Sequence, residues 1–189
     1  MKTLILVDFD KTLYKKDSLF KFTKFYTGSF KFYLGIIFLT PVFLLMKLGI
    51  VSNQKTKEFF LTYFFKDEDY TFFKQKGGNF AKTKIEKNIN LNLLNEINSL
   101  KISNTIVYIV SASFNEWIFD WANKYRFKTI TSRLQVVDGK LTGIIEGKNC
   151  SEIEKVNRIK NEINLSNFDK IIVYGYGKGD FEMLKLEKN

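Results

Sequence analysis

Hydrophobic and polar positions change texture twice along the chain. Residues 2–8 form a short apolar run, "KTLILVD", of strand length that ends in aspartate. From about Ser18 to Phe80 the apolar residues recur at helical spacing, and fourteen of the twenty phenylalanines fall within residues 16–90. Strand and helix patterns then alternate. "LNLLNEINSLK" (91–101) predicts a helix and "TIVYIV" (105–110) a β-branched strand. "NEWIFDWANKY" (115–125) predicts a helix with Ser113 as its cap, in which Trp117 and Trp121, one turn apart, read as core packing. Residues 128–147 predict a strand and a hairpin turning at Asp138-Gly139. "SEIEKVNRIKNEI" (151–163) opens with a Ser-x-x-Glu capping box, and "KIIVYGYG" (170–177) is a last strand running into glycines.

Strands alternating with helices predict an α/β fold with a largely parallel sheet. The Phe-rich helical stretch interrupts that alternation directly after the first strand and reads as an inserted cap. The expected organisation is a catalytic core of residues 1–15 and 91–189 with a helical, Phe/Lys-rich cap over 16–90.

Composition narrows the chemistry. A hydrophobic share of 45% over 189 residues supports a genuine core. The chain has no histidine, which excludes histidine zinc ligands, a Ser-His-Asp triad and a phosphohistidine route. Cys150 is the lone cysteine, so no intrachain disulfide forms and a reducing compartment is expected. The residue six after it is Val156 rather than the arginine of a cysteine phosphatase. The net charge is +10, and residues 1–90 carry sixteen lysines against eight acids. That imbalance favours an anionic partner, although a lysine-rich, solubilising composition reads equally well.

Carboxylates, hydroxyls and lysines remain, and they cluster at predicted strand ends. Asp8, Asp10 and Thr12 follow the first strand, Ser111 follows "TIVYIV", Lys155 lies on the 151–163 helix and Asp180 follows the last strand. Ligands of open α/β sheets sit at these carboxyl ends. Two acids one position apart repel unless a cation or a proton transfer uses both. Such a set contains what phosphoryl transfer requires: a nucleophile, an acid, groups to hold phosphoryl oxygens and donors for Mg²⁺. Singly, each has an ordinary reading: an acidic turn, a strand end, a solvated helix lysine, a helix N-cap. "GYGKG" lacks the spacing of a nucleotide-binding loop.

Four stretches in order, "DFDKT", "IVSAS", the helix carrying Lys155, and "YGYGKGDFEML", resemble the motifs of the haloacid dehalogenase superfamily. The position of the cap resembles the phosphoserine-phosphatase-like subfamily IB. The resemblance implies a Rossmann-like core with Asp8 as nucleophile, forming an aspartyl-phosphate, and Asp10 as general acid and then base. It implies phosphate binding by Thr12, Ser111 and Lys155. Mg²⁺ would be held by the Asp8 carboxylate, the Asp10 carbonyl and Asp180. The fourth motif departs from the family's Gly-Asp-x-x-x-Asp: Tyr176 stands where the first aspartate is found, and a neutral phenol is a far poorer Mg²⁺ ligand. The chain also ends at "MLKLEKN", where relatives add another strand, so an incomplete or decayed enzyme is one reading.

The cap bears on substrate. "FYLGIIFLTPVFLLM" (32–46) has no charge and lies between Lys31 and Lys47. Fifteen helical residues span roughly 22 Å, short of a bilayer's roughly 30 Å core, and Pro41 is expected to kink them. A membrane span is therefore not expected, and no signal-peptide cleavage pattern is read. Cap core, self-association and an interfacial hairpin on anionic lipid remain open. The cap resembles that of the C-type phosphatidylglycerophosphatases. No arginine precedes Arg126, which argues against carboxylate recognition of phosphoserine by the cap. The expected activity is Mg²⁺-dependent hydrolysis of a membrane-associated or lipid-linked phosphomonoester, in the cytoplasm or at the inner membrane face. A soluble sugar or metabolite phosphatase, and a catalytically impaired phosphate-binding or membrane-associated protein, are the alternatives. Nucleic-acid binding is disfavoured, since the cap's Lys and Phe form no RNA motif.

Overall fold

A computed structural model describes residues 1–101 and 103–188. Its centre is a four-stranded, all-parallel sheet in the order β3-β2-β1-β6, formed by β1 (Thr3–Val7), β2 (Thr105–Phe114), β3 (Lys128–Ser132) and β6 (Lys170–Tyr174). β1 is buried along its whole length because both faces are covered. Ile5 and Val7 face one hydrophobic cluster, whereas Leu4 and Leu6 face the other, as a period of two demands. The fold is the α/β parallel-sheet core expected, with helices on both faces.

Between β1 and β2 the cap is built from α1 (Ser18–Thr27), α2 (Ser29–Lys47), α3 (Asn53–Phe65) and α4 (Tyr70–Phe80). A π-helical turn (Ala81–Ile85) and a 3-10 turn (Glu86–Asn88) bring the chain back to α5 (Leu91–Ser99). Entry and exit run side by side. Lys15 N–H donates to Asn88 O at 2.9 Å and Asn90 N–H to Leu13 O at 2.8 Å, around an antiparallel Tyr14–Ile89 bridge. The cap has no core apart from the sheet: Phe22, Phe60, Phe65, Phe73 and Phe80 join Trp117, Phe9 and Val7 in one cluster. Phe22 stacks on Trp117 at 4.5 Å. At Gly77 a Cβ would lie 2.0 Å from the Glu116 carbonyl oxygen, so only glycine lets α4 pack this closely on α6 (Asn115–Lys124).

The hairpin of β4 (Leu134–Val137) and β5 (Lys140–Ile145) turns at Asp138-Gly139 with φ of 49° and 74°, the two positive values of a type I′ turn. It reaches up to the cap, where Leu141 exchanges main-chain hydrogen bonds with Asp67 (2.8 Å) and Glu68 (3.0 Å).

Four local readings require correction. β2 extends past 110 to Phe114 through an irregularity between Ser111 and Phe114. Ser113 does not cap α6; its hydroxyl lies 2.7 Å from Ser18 Oγ and accepts from Trp117 Nε1 at 3.1 Å. The capping box at Ser151 is absent as well. α7 (Ile153–Glu162) starts after Glu152, whose φ of 53° turns the chain so that its N–H meets Gly179 O, while Glu154 bonds Arg158. Finally, α2 runs through Pro41 for nineteen residues, longer than the apolar run alone.

Candidate active site

Asp8 is the first residue beyond β1, and its N–H still pairs with Tyr174 O of β6 at 2.8 Å. That bond fixes the carboxyl at the sheet's carboxyl edge. The carboxyl is buried. Lys155 Nζ, from the inward face of α7, donates to Asp8 Oδ1 at 2.6 Å, to Asp180 Oδ1 at 2.6 Å and to Val110 O at 2.8 Å. Three acceptors saturate the ammonium, so Lys155 is a buried crosslink and not the solvated helix lysine it resembles in isolation. Thr12 Oγ1 donates to Asp8 Oδ2 at 2.8 Å.

Burial pushes the Asp8 carboxyl above the usual carboxylate range, and Lys155 pulls against it. For Lys155, burial alone would lower the ammonium's pKa, but Asp8 and Asp180 outweigh it and hold the group protonated.

Asp10 faces the cap. Burial, then the charges of Asp17 and Asp8, raise its pKa to about 8, against the pull of two hydrogen bonds from Ser18. A carboxyl that keeps its proton at neutral pH, beside one clamped by an ammonium, is a division suited to acid and nucleophile.

Ser111 lies buried on β2, two residues beyond Ile109, which pairs with Val7. It therefore stands at the same sheet edge as Asp8, with its hydroxyl accepting from Ser113 N–H at 3.0 Å.

Asp180 closes the site from the far side, without acting as a side-chain N-cap. Its Oδ2 accepts from Tyr176 N–H at 2.9 Å, and the Tyr176 side chain is 75% exposed. Among the described residues, no group of three or more acidic, cysteine or histidine side chains gathers as a metal site. The Asp8 carboxylate and the Asp10 main-chain carbonyl remain hard oxygen donors on one turn. Such a set suits a loosely held Mg²⁺, which takes few carboxylates and completes its sphere with water and phosphate oxygens.

One side chain lining the cavity between cap and core escapes the sequence patterns. Lys57 of α3 reaches out of the cap to donate to Ala112 O and, at 3.0 Å, to Asn149 Oδ1, with its ammonium 4.4 Å from the Phe114 ring centroid. Burial lowers its pKa to about 8. It shares a cavity of about 470 Å³ with Asp10, between cap and core. Nothing in the local pattern separates it from the fifteen other lysines before residue 91.

The family described as haloacid dehalogenase-like hydrolase matches residues 5–185. No curated protein matches the chain. Among solved structures, a Bordetella pertussis Tohama I protein of unknown function superposes with a TM-score of 0.83 at 18% identity, covering 99% of this chain and 87% of that one. A phosphoserine phosphohydrolase-like protein from Francisella tularensis gives 0.66 at 20%, covering 98% and 82%. A phospho-aspartyl intermediate analogue of phosphoserine phosphatase gives 0.60 at 22%, covering 98% and 83%. At these identities the likeness is one of fold.

Proposed function

That the chain belongs to the haloacid dehalogenase-like hydrolases is the premise from which we propose an Mg²⁺-assisted phosphomonoesterase working through Asp8. The observation that carries this reading is the buried Asp8–Lys155–Asp180 chain of contacts, with the Asp10 carboxyl held by Ser18 two residues beyond Asp8. Asp8 attacks phosphorus, the bond from phosphorus to the ester oxygen breaks, and Asp10 gives its proton to that oxygen. Asp10, now a carboxylate, takes a proton from water as the water attacks the aspartyl-phosphate. The Asp8–phosphorus bond then breaks and inorganic phosphate leaves. On phosphate entry Lys155 and Thr12 each exchange a present acceptor for a phosphoryl oxygen, and the Ser111 hydroxyl donates to another. Mg²⁺, held by the Asp8 carboxylate and the Asp10 carbonyl with Asp180 behind them, would neutralise charge on the phosphoryl group.

A membrane-associated or lipid-linked phosphate is the substrate class we favour, on the evidence of α2. This helix is long and apolar enough to cross a membrane, yet only 17% of its most apolar stretch is buried. Phe30, Ile37 and Phe38 are 81%, 70% and 70% exposed, and lysines stand at both ends. Phe32, Gly35 and Leu39 pack it against the rest of the cap, which suits lying on a bilayer face at the inner membrane surface.

The test is hydrolysis of phenyl phosphate and of short-chain phosphatidic acid with and without Mg²⁺, for wild type and Asp8→Asn. Turnover should need Mg²⁺ and fall by about 10³-fold or more in the variant, as for other lost nucleophiles. Equal rates in the two proteins would remove Asp8 from the mechanism.

A further inference from the structure

The rings of Phe20 and Phe43 line two cavities at once. The first is the space beneath the cap, about 470 Å³, whose lining includes Asp10, Lys57 and Asn149 as well as Phe20, Phe43 and Met46. The second, about 420 Å³, lies between α1 and α2 and is walled by Phe20, Phe32, Ile36 and Phe43. Phe20 meets Phe32 and Phe43 edge-on, with centroids 6.3 and 6.4 Å away. One side of the second cavity is closed by Lys24, which donates to the Tyr33 hydroxyl at 2.9 Å. Each cavity is of a size that takes a small molecule.

A phosphate ester with its phosphorus at Asp8 must extend its leaving group into the first cavity. Lys57 and Asn149, bonded to each other, line it together with the polar side chains of Lys11, Asp17, Asn53, Thr56, Ser113 and Ser151. Its apolar wall is made by Leu19, Phe20, Phe43, Met46 and Phe60, and the rings of Phe20 and Phe43 continue into the second cavity. A leaving group that is polar near the phosphate and hydrocarbon farther out matches this order of surfaces. A compact sugar would leave the apolar part empty.

We propose that the α1–α2 groove binds the hydrocarbon tail of a single-chain amphipathic phosphomonoester whose phosphate occupies the catalytic pocket. The proposal rests on the phosphatase reading above and specifies its substrate. The tail leaves the pocket past Phe20 and Phe43 and lies along Phe32 and Ile36.

The experiment uses ethyl, butyl, octyl and dodecyl phosphate below their micellar concentrations, without vesicles. Hydrolysis is followed by phosphate release and binding by calorimetry. Each methylene that enters the groove should tighten binding by up to about fourfold, until the groove is full. kcat/KM for octyl over ethyl phosphate should therefore exceed about tenfold, with the gain mainly in KM. Ile36→Trp, which fills the groove, should bring that ratio close to one, and the milder Ile36→Phe should cut it partway. A wild-type ratio near one, with ethyl phosphate still turned over, overturns the groove and leaves the phosphatase reading standing. A ratio that persists unchanged in both Ile36 variants places the tail elsewhere and also overturns it. Chain-length-dependent binding that is lost in Ile36→Trp, with no ester hydrolysed, supports the groove while removing the phosphatase reading.

Discussion

Ser18 gives both of its donors to Asp10: its main-chain N–H to Oδ1 at 2.8 Å and its hydroxyl to Oδ2 at 3.1 Å. Ser18 is also the first residue of α1, and Trp117 Nε1 donates to its hydroxyl at 3.0 Å. The proposed acid is thus held by the first turn of the cap, so that its proton affinity is tied to where the cap sits.

A pH profile reads this directly. Asp10 keeps its proton up to about pH 8, well above a free carboxyl, chiefly through burial. kcat/KM on phenyl phosphate, whose leaving oxygen needs a proton, should fall as pH rises through about 8. Ser18→Ala removes a donor that favours the charged form, so the alkaline limb should move to higher pH. An unmoved limb would take Asp10 out of the acid role. The sign for stability is opposite to that of an ordinary paired acid. The folded state holds a proton that the unfolded carboxyl releases near pH ~3.9, so stability from this group falls between there and about 8. Asp10→Asn should melt above wild type at pH 8 and level with it at pH 4.

Lys57 titrates in the same range from the other side, since burial lowers its ammonium to about 8. As pH rises past 8 the cavity loses a cation and gains an anion. Inhibition by vanadate should weaken accordingly. Lys57→Met keeps the aliphatic stem against Phe114 but removes the charge. It should raise KM for an acyl-chain phosphate by about tenfold while changing kcat much less, consistent with lost binding of the leaving group. A fall in kcat at constant KM would mean that Lys57 acts on the reacting phosphoryl group instead.

Tyr176→Asp tests the metal site. The side chain is 75% exposed, so stability should change by no more than about 0.5 kcal/mol. A carboxylate there, one hydrogen bond from Asp180, should tighten Mg²⁺ binding by about tenfold and raise activity most at low Mg²⁺. Calorimetric titration with Mg²⁺ checks the first claim and initial rates the second. No gain in either would indicate that Asp180 already supplies the needed charge.

Phe38, 70% exposed and stacked on Tyr63 at 5.4 Å, tests the lipid face. Wild type should sediment with vesicles containing anionic lipid, less so at high salt, and Phe38→Asp should partition about tenfold more weakly. Equal and negligible binding to anionic and neutral vesicles at low salt would assign α2 to the protein's own packing.

What the sequence reveals, and what it hides, follows from distance along the chain. β1 is legible because it is an apolar run buried along its whole length, and β2 and β6 because each carries a run of β-branched apolar residues. Asp8, Lys155 and Asp180 are legible because their motifs have fixed order, and the structure brings these three together. Ser18, Ser113 and Trp117 form a contact across 95 and 99 residues, and so Ser113 reads locally as a helix cap. The capping box at Ser151 fails for a related reason: Glu152 bonds Gly179, and that tertiary contact overrides the local pattern. Lys57 stays hidden because its partners Ala112 and Asn149 lie 55 and 92 residues away.

The paired strands at the neck of the cap also bear on how the chain assembles. Thr3 lies opposite Thr105, so β1 and β2, neighbours at the centre of the sheet, are joined by a very long excursion. Closing such a loop in one step carries the full entropic penalty of distant contacts, and folding slows as contacts become less local. The Lys15–Asn88 and Leu13–Asn90 bonds divide that search in two. Once the neck is paired, α5 and its flanking turns are all that separate the two strands. The neck thus converts a remote strand pairing into a nearly local one, and mutations there should slow refolding more than they speed unfolding.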